Sequence, residues 1–441
     1  MLKNVLLISA DFPKIYYKFA QAFKKNGCNV LVIGSTPIDN IEPGLKDAVT
    51  EYVFTLAMED MKVMIELVDG LIKKYGPIDF IESNNEYWLK LDATLREWYG
   101  VKTGIYPQEL NEYQKKSSMK KAFEEAGAKF APYVIATDFE TTKNFANTYG
   151  YPIFAKPNIG VGAAGNYKIE NDADLEAFFR VKPNVEYIIE TFVEGKIITF
   201  DGVANENSET VIEINEIYQR EVYSLISTKE DMYYYINKTV PEELSRIGKA
   251  IVKALKLKNR FFHIELFIAE NEIEGSFKKG DYVVLEANIR VPGDYTPDVL
   301  CYGLSANIYQ IYADVMCFGK TDLTPGKRYY AMSVSRRNGK QYFFSDEDIK
   351  RTFNKELCET GTYPDIFSDL IGNYYYVGLF EKEEDALLFS DYIRKTNIST
   401  YSRGERVSHI FGEDRRMLQE RKEDSENTGD TTICDNHIDG A

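Results

Sequence analysis

The chain has 441 residues, 44% hydrophobic and 28% charged, which suits a globular protein of two or three lobes rather than one core. Its formal net charge of −16 argues against nucleic acid or an anionic membrane as the main partner, because both need basic surface. Three His and five Cys show no zinc-ligand spacing, and the odd, unpatterned cysteines point to reduced thiols and a cytoplasmic setting.

In chain order, Met1–Ile8 carries an apolar run too short for a membrane span or a signal-peptide core, so 4–9 reads as a strand. An amphipathic helix pattern covers 14–25, Gly27 is a fitting stop, and Asn29–Ile33 is a second strand. A helix over 59–75, ended by Gly76-Pro77, leads to a strand at Asp79–Glu82. This alternation predicts a parallel, Rossmann-like α/β lobe over 1–112. Ser9-Ala10-Asp11-Phe12-Pro13 replaces the glycine fingerprint after the first strand, so the lobe is expected to be structural or substrate-binding rather than a dinucleotide site. Glu82-Ser-Asn-Asn-Glu86 stands where open α/β sheets bind ligands, which makes Glu86 a substrate candidate against a simpler capping role.

From about 113 the texture becomes α+β. A charged helix (Gln114–Ala126) precedes strands at Tyr133–Ile135, Ile153–Lys156, Tyr187–Phe192, Ile197–Ala204 and Glu209–Glu216. A helix at Glu242–Leu255 and strands at Phe261–Ala269 and Tyr282–Ala287 follow. A further α+β segment over 326–411 and a polar, disordered tail over 412–441 complete the reading.

Two segments carry chemistry. Strand Tyr151–Lys156 delivers a lysine into a small-residue loop holding Gly160, Gly162, Ala163 and Gly165. Glycine lets backbone amides approach phosphate oxygens, and lysine adds a point charge, although such loops are more often plain turns. Gly319-Lys320-Thr321 is no P-loop, because Asp314 stands where the leading glycine belongs; it reads as a helix ending. Farther on, Glu265 interrupts an apolar strand, and Glu286 and Asn288 share one face of the next, with Arg290 following. Three oxygen donors on neighbouring strands suit a hard cation such as Mg²⁺; the plainer reading has both carboxylates facing solvent.

Together, in this order and spacing, these blocks resemble the ATP-grasp superfamily, in particular its biotin-carboxylase-like and carboxylate–amine ligase branches, over roughly residues 1–400. The resemblance implies a nucleotide held between a small lobe (113–195) and a large lobe (196–325). It implies that Lys116 and Lys156 contact ATP phosphates under a loop spanning 158–165, with Lys120 and Lys121 as solvated helix charges. The hinge would be Ile188–Gly195, where Glu190 and the Thr191 carbonyl accept from adenine and the Val193 amide, after Phe192, donates to it. Relatives carry an acidic ribose ligand after that glycine; here Lys196 and Ile197 follow, leaving Glu194 as the nearest candidate. Glu265, Glu286 and Asn288 match the magnesium triad, for two Mg²⁺ (or Mn²⁺) ions, and Arg290 matches the arginine that stabilises an acyl-phosphate transition state.

The implied activity is ADP-forming ligation of a small carboxylate to an amine, with an amino acid expected as one of the two. The alternatives are a carboxylase or other acyl-phosphate transferase and a non-catalytic ATP-binding module. Superfamily ligases often dimerise, which leaves room for a homodimer. His263 reads as either a structural strand residue or a ligand contact, and Met232–Ile236 as a packed strand.

Overall fold

The computed structural model describes residues 3–160, 165–219, 228–293 and 295–396; Gly162, Ala163 and the tail expected over 412–441 lie outside them. The chain forms two compact units. One comprises Met1–Tyr223, Thr239–Asp298 and Asn307–Leu323, the other Ser224–Lys238, Val299–Ala306 and Thr324–Ala441.

The first unit opens with strands β1 (Asn4–Ile8), β2 (Asn29–Gly34), β3 (Glu51–Phe54) and β4 (Phe80–Glu82), all parallel in the order β3-β2-β1-β4. Their near-continuous apolar runs follow from burial on both faces, the usual state of a parallel sheet. The sequence pattern missed β3, a half-buried edge strand, and the helix Leu89–Tyr99.

Next come the helix Lys116–Glu125 and strands β5 (Lys129–Phe130), β6 (Tyr133–Ile135), β7 (Ile153–Pro157), β8 (Tyr167–Ile169) and β9 (Tyr187–Thr191). Strands β6-β9-β7-β8 form an antiparallel sheet. Helices Phe139–Tyr149 and Asp172–Val181, unmarked by the sequence reading, supply Phe145 and Phe178 to its core.

The central sheet is built from β10 (Gly195–Ala204), β11 (Thr210–Ile214), β12 (Glu216–Tyr218), β13 (Arg260–Ala269) and β14 (Tyr282–Asn288). Strand β10 pairs antiparallel with β13, and β13 with β14. The strand expected over 209–216 is split at Asn215, whose side chain donates to the Thr199 and Glu216 carbonyls. Ile198, Phe200, Phe262, Ile264, Leu266 and Val284 turn one face of the sheet toward a core shared with Met119, Phe123, Leu244 and Ile251.

In the second unit, Tyr233–Ile236, Tyr330–Arg336, Tyr374–Phe380 and Leu357–Thr362 pair antiparallel in that order. The tyrosine-rich run is thus a packed strand, as read from the sequence. Gly319 caps the helix Ile308–Phe318 in the left-handed conformation, so Gly319-Lys320-Thr321 is the expected helix ending. Cys28, Cys301 and Cys317 are free thiols, but Cys358 is disulfide-bonded, so reduced thiols do not hold at that position; cysteine spacing carries no signal for such a pair. Among the described residues no helix is long and apolar enough to cross a membrane.

Gly248, inside the helix Glu242–Ala254, faces the Phe200 ring so closely that a Cβ would sit 2.1 Å from Cδ1. Replacing a helical glycine by alanine ordinarily stabilises by about 0.5–1 kcal/mol, whereas overpacking costs about 1–3 kcal/mol. Gly248→Ala is therefore expected to lower the urea midpoint, despite its better helix propensity.

Candidate active site

Lys116 begins its helix, and its placement depends on Asn158 in the loop after β7. The Lys116 amide donates to the Asn158 carbonyl at 2.8 Å and the Ser117 amide to Asn158 Oδ1 at 2.9 Å. Asn158 Nδ2 donates in return to Ser117 Oγ at 2.8 Å. So fixed, Lys116 Nζ lies 3.2 Å from the Gly160 carbonyl and 3.1 Å from Glu286 Oε2. Burial weakens the lysine as a base, but Glu286 and Glu86 outweigh it and hold the ammonium protonated.

One turn along the helix, Lys120 is only 2% exposed, on the inward face with Met119 and Phe123. This corrects the expectation of a solvated charge: the helix turns Lys120 inward, while Lys121 is exposed as expected. Lys120 Nζ lies 2.6 Å from Glu190 Oε1, and Lys156 Nζ lies 2.6 Å from Glu190 Oε2. Burial favours the neutral acid, but the two ammonium groups overcome it and hold the Glu190 carboxyl near about 2. The side chain of Glu190, a residue expected at the adenine hinge, bridges two lysines in this structure.

Beyond Glu190 and the buried Thr191, the hinge is clamped by Asn271. Its Nδ2 donates to the Phe192 carbonyl at 2.9 Å and its Oδ1 accepts from the Glu194 amide at 3.0 Å, bracketing Val193. Glu194 itself is exposed. Gly165 has a φ of +77°, a conformation that favours glycine, and its carbonyl accepts from Tyr187 Oη at 3.1 Å.

The metal candidates belong to a larger polar patch. Cross-strand register sets Thr199, Glu265 and Glu286 in one row, and Asp201, His263 and Asn288 in the next. The alternating residues Phe200, Ile264 and Ala287 enter the core behind. On β14, Val284 and Glu286 are two apart and would normally share a face. The register shift beside Glu265 leaves Leu285 unmatched, so Val284 enters the core while Glu286 joins Glu265. Asn288 Nδ2 is 3.3 Å from both Glu265 Oε1 and Glu286 Oε1. Burial favours neutral Glu286, but Lys116 and Lys156 hold its carboxyl near about 2.

His263 Nδ1 meets Asp201 Oδ1 at 2.6 Å and Nε2 meets Glu265 Oε1 at 3.2 Å. Burial opposes a charged ring, but Asp201 and Glu265 prevail and keep the imidazole protonated well above its ordinary range. Arg290 Nε pairs with Glu86 Oε2 at 3.2 Å, and its NH1 donates to the Val291 carbonyl at 2.9 Å. Nearby, buried Glu82 is held by Arg96 at 3.0 Å and Arg260 at 3.2 Å, tying the end of β4 to the start of β13.

Sequence reasoning missed Asp201, Thr199, Asn158 and Asn271, and misplaced Lys120. A signal existed for Asp201: with Thr199 it forms a polar period-two pair inside the apolar run Ile197–Val203. Asn158 and Asn271 act through backbone contacts that no spacing rule reveals.

Removing Glu190's charge leaves two buried ammonium groups facing each other, a loss of about 3–5 kcal/mol for a broken buried pair. Because this carboxyl is depressed to about 2, its contribution is complete above the unfolded value, ~4.3, and fades as the pH falls through about 2. Glu190→Gln should therefore lower unfolding stability strongly at pH 7 and progressively less below pH ~4, as read by urea titration at each pH.

Residues 149–276 match the family model for the ATP-grasp domain. The chain is 22% identical over 293 residues to the carbamoyl phosphate synthase large chain of Bifidobacterium longum (strain DJO10A), covering 64% of this chain and 25% of that one. It thus spans about a quarter of the length of that relative. It is 21% identical over 304 residues to an L-arginine-specific L-amino acid ligase of Bacillus subtilis, covering 66% of this chain and 69% of that protein. In structure it is similar to an L-amino acid ligase from Bacillus licheniformis, with a TM-score of 0.65 at 14% identity over 88% of this chain and 96% of the other. The Rossmann-like lobe and the two sheets after it have the two-lobed arrangement expected from the sequence, and residues 149–276 carry an ATP-grasp domain.

Proposed function

We propose that this chain is an ATP- and magnesium-dependent ligase that activates a carboxylate as an acyl phosphate and joins it to an amine, releasing ADP and phosphate. The observation that carries the reading is the meeting of a lysine cluster with an oxygen-donor face. Lys116 reaches Glu286 at 3.1 Å, Asn288 touches both Glu265 and Glu286 at 3.3 Å, and Arg290 follows on the same chain segment. Likeness to an L-arginine-specific L-amino acid ligase and to a second L-amino acid ligase supports it.

The residues fit the groups they would hold. Lys116 and Lys156 are ion-paired with Glu286 and Glu190, and phosphate oxygens are alternative counter-charges of the same sign. Glu265, Glu286 and Asn288 supply hard oxygen donors, few in number, as suits magnesium bound together with phosphates. Bound there, the metal would withdraw charge from the phosphate oxygens. The hinge 190–194, clamped by Asn271, would hold the adenine through backbone groups, with Thr191 and Val193 nearest and Glu194 toward the ribose. Gly160 and Gly165, with Gly162 and Ala163, would cover the phosphates.

In the proposed reaction a carboxylate oxygen attacks the γ-phosphorus, the new O–P bond forms and the bond to ADP breaks. The amine lone pair then attacks the acyl carbon, phosphate leaves with the bonding pair, and the amine gives up a proton. Lys116 and Lys156 neutralise charge gathering on the transferred group. Arg290 holds the carboxylate and then the tetrahedral oxyanion, with Glu86 fixing the guanidinium. At the far side of that pair, Glu86 offers the acidic partner that an ammonium group would seek.

ADP and phosphate release from MgATP, measured with pools of amino acids and small carboxylates, tests the proposal. Release that requires a carboxylate supports it; ATP binding with no release from any pool contradicts it. Arg290→Lys keeps the charge but not the planar fork, so kcat should fall about 10²–10³-fold while the KM for ATP stays within about threefold. Unchanged kcat in that variant would remove Arg290 from the chemistry.

A further inference from the structure

On the donor face itself, one row along from Glu265, lies a buried pair that the proposed reaction does not use. Asp201 and His263 occupy facing positions on β10 and β13, 1% and 5% exposed. A sheet face this deep would ordinarily be filled by apolar residues, because burying a polar group without a partner is costly. Both ring nitrogens are committed to carboxylates: Nδ1 to Asp201 Oδ1 at 2.6 Å and Nε2 to Glu265 Oε1 at 3.2 Å. Asp201 is itself anchored, since Thr199 Oγ donates to its Oδ2 and Thr199 Oγ in turn accepts from the Glu216 amide at 3.1 Å.

The consequence falls on Glu265. The terminal torsion of a glutamate is broad, so an unsupported carboxylate samples many orientations. Here His263 Nε2 and Asn288 Nδ2 reach the same oxygen, Oε1, at 3.2 and 3.3 Å. That fixes the plane of the carboxylate and leaves Oε2 as the oxygen outside these two contacts. We infer that Asp201 and His263 are a positioning pair that locks Glu265 in its metal-binding orientation. Glu265, not either member of the pair, touches the metal. The inference rests on the reading of Glu265, Glu286 and Asn288 as a cation site.

The test reads metal binding directly. Free Mn²⁺ is followed by electron paramagnetic resonance during titration of the intact chain with ADP present, in the wild type, His263→Ala and Asp201→Asn. Outer-sphere partners of this kind are generally worth about 10–100-fold in metal affinity. Both variants should therefore weaken Mn²⁺ binding by about that factor, with unchanged stoichiometry and with ADP affinity without metal within about twofold. Asp201→Asn retains an oxygen acceptor for Nδ1 and the residue's shape, so it reports even if His263→Ala fails to fold. A merely structural pair would lower the melting temperature and leave Mn²⁺ affinity of the folded protein within twofold, which would overturn the inference. Loss of one Mn²⁺ per chain in Asp201→Asn would also overturn it, because Asp201, Glu216 and His263 offer ligand atoms within 4.8 Å of one another and would then be a cation site themselves. If the wild type with ADP binds no Mn²⁺, the cation-site reading fails first and the positioning role with it.

Discussion

The ion pairs between buried or half-buried carboxylates and the cations around them organise this site. Glu190 lies between Lys120 and Lys156, Glu286 against Lys116, Glu82 between Arg96 and Arg260, and Glu86 against Arg290. An ionised carboxylate left alone in a protein interior is too costly to persist, so each of these must keep its partner or take a new one. That condition fixes how the helix Lys116–Glu125 meets strands β9 and β14, and how the end of β4 meets the start of β13. It also leaves the site with exchangeable charge: lysines matched to carboxylates today can be matched to phosphate oxygens.

The second constraint is geometric. Strand β13 sets His263 and Glu265 on one face and Phe262, Ile264 and Leu266 on the other, and its two neighbours match these rows. A six-residue patch of Thr199, Asp201, His263, Glu265, Glu286 and Asn288 therefore sits over the core formed by Phe200, Phe262 and Ile264. The register shift at Leu285 is what lets Glu286 join that patch while Val284 stays in the core. Rigid strands thus carry the donor set, whereas Asn158 and Asn271 tie the loop after β7 and the segment after β9 to fixed backbone.

Much of this was legible in the sequence. Apolar runs marked β1, β2, β7, β9, β13 and β14, and the carboxylates at 265 and 286 stood out because they interrupt apolar strands. The residues that escaped did so for identifiable reasons. Helix Phe139–Tyr149 and strand Glu51–Phe54 bury only part of their surface, so their patterns are diluted. Lys120 lies among charges on a polar-looking helix, and only the fold shows that its face turns inward. Asp201 was visible as a polar pair with Thr199, but its meaning depends on which strand lies beside it. Glu190 was read at the hinge, but its pairing with two lysines 34 and 70 positions away is long-range and leaves no mark in the spacing.

In the proposed reaction the lysines, the donor face and Arg290 would together make and protect an acyl phosphate. The most direct measurement supplies the active carboxylate labelled with ¹⁸O in both carboxyl oxygens and follows the label into inorganic phosphate by mass spectrometry. The account predicts one ¹⁸O per phosphate released, because the attacking oxygen stays with phosphorus when the amine displaces it. Phosphate carrying no label would mean that the carboxylate never bonds to the γ-phosphorus, and would contradict the account.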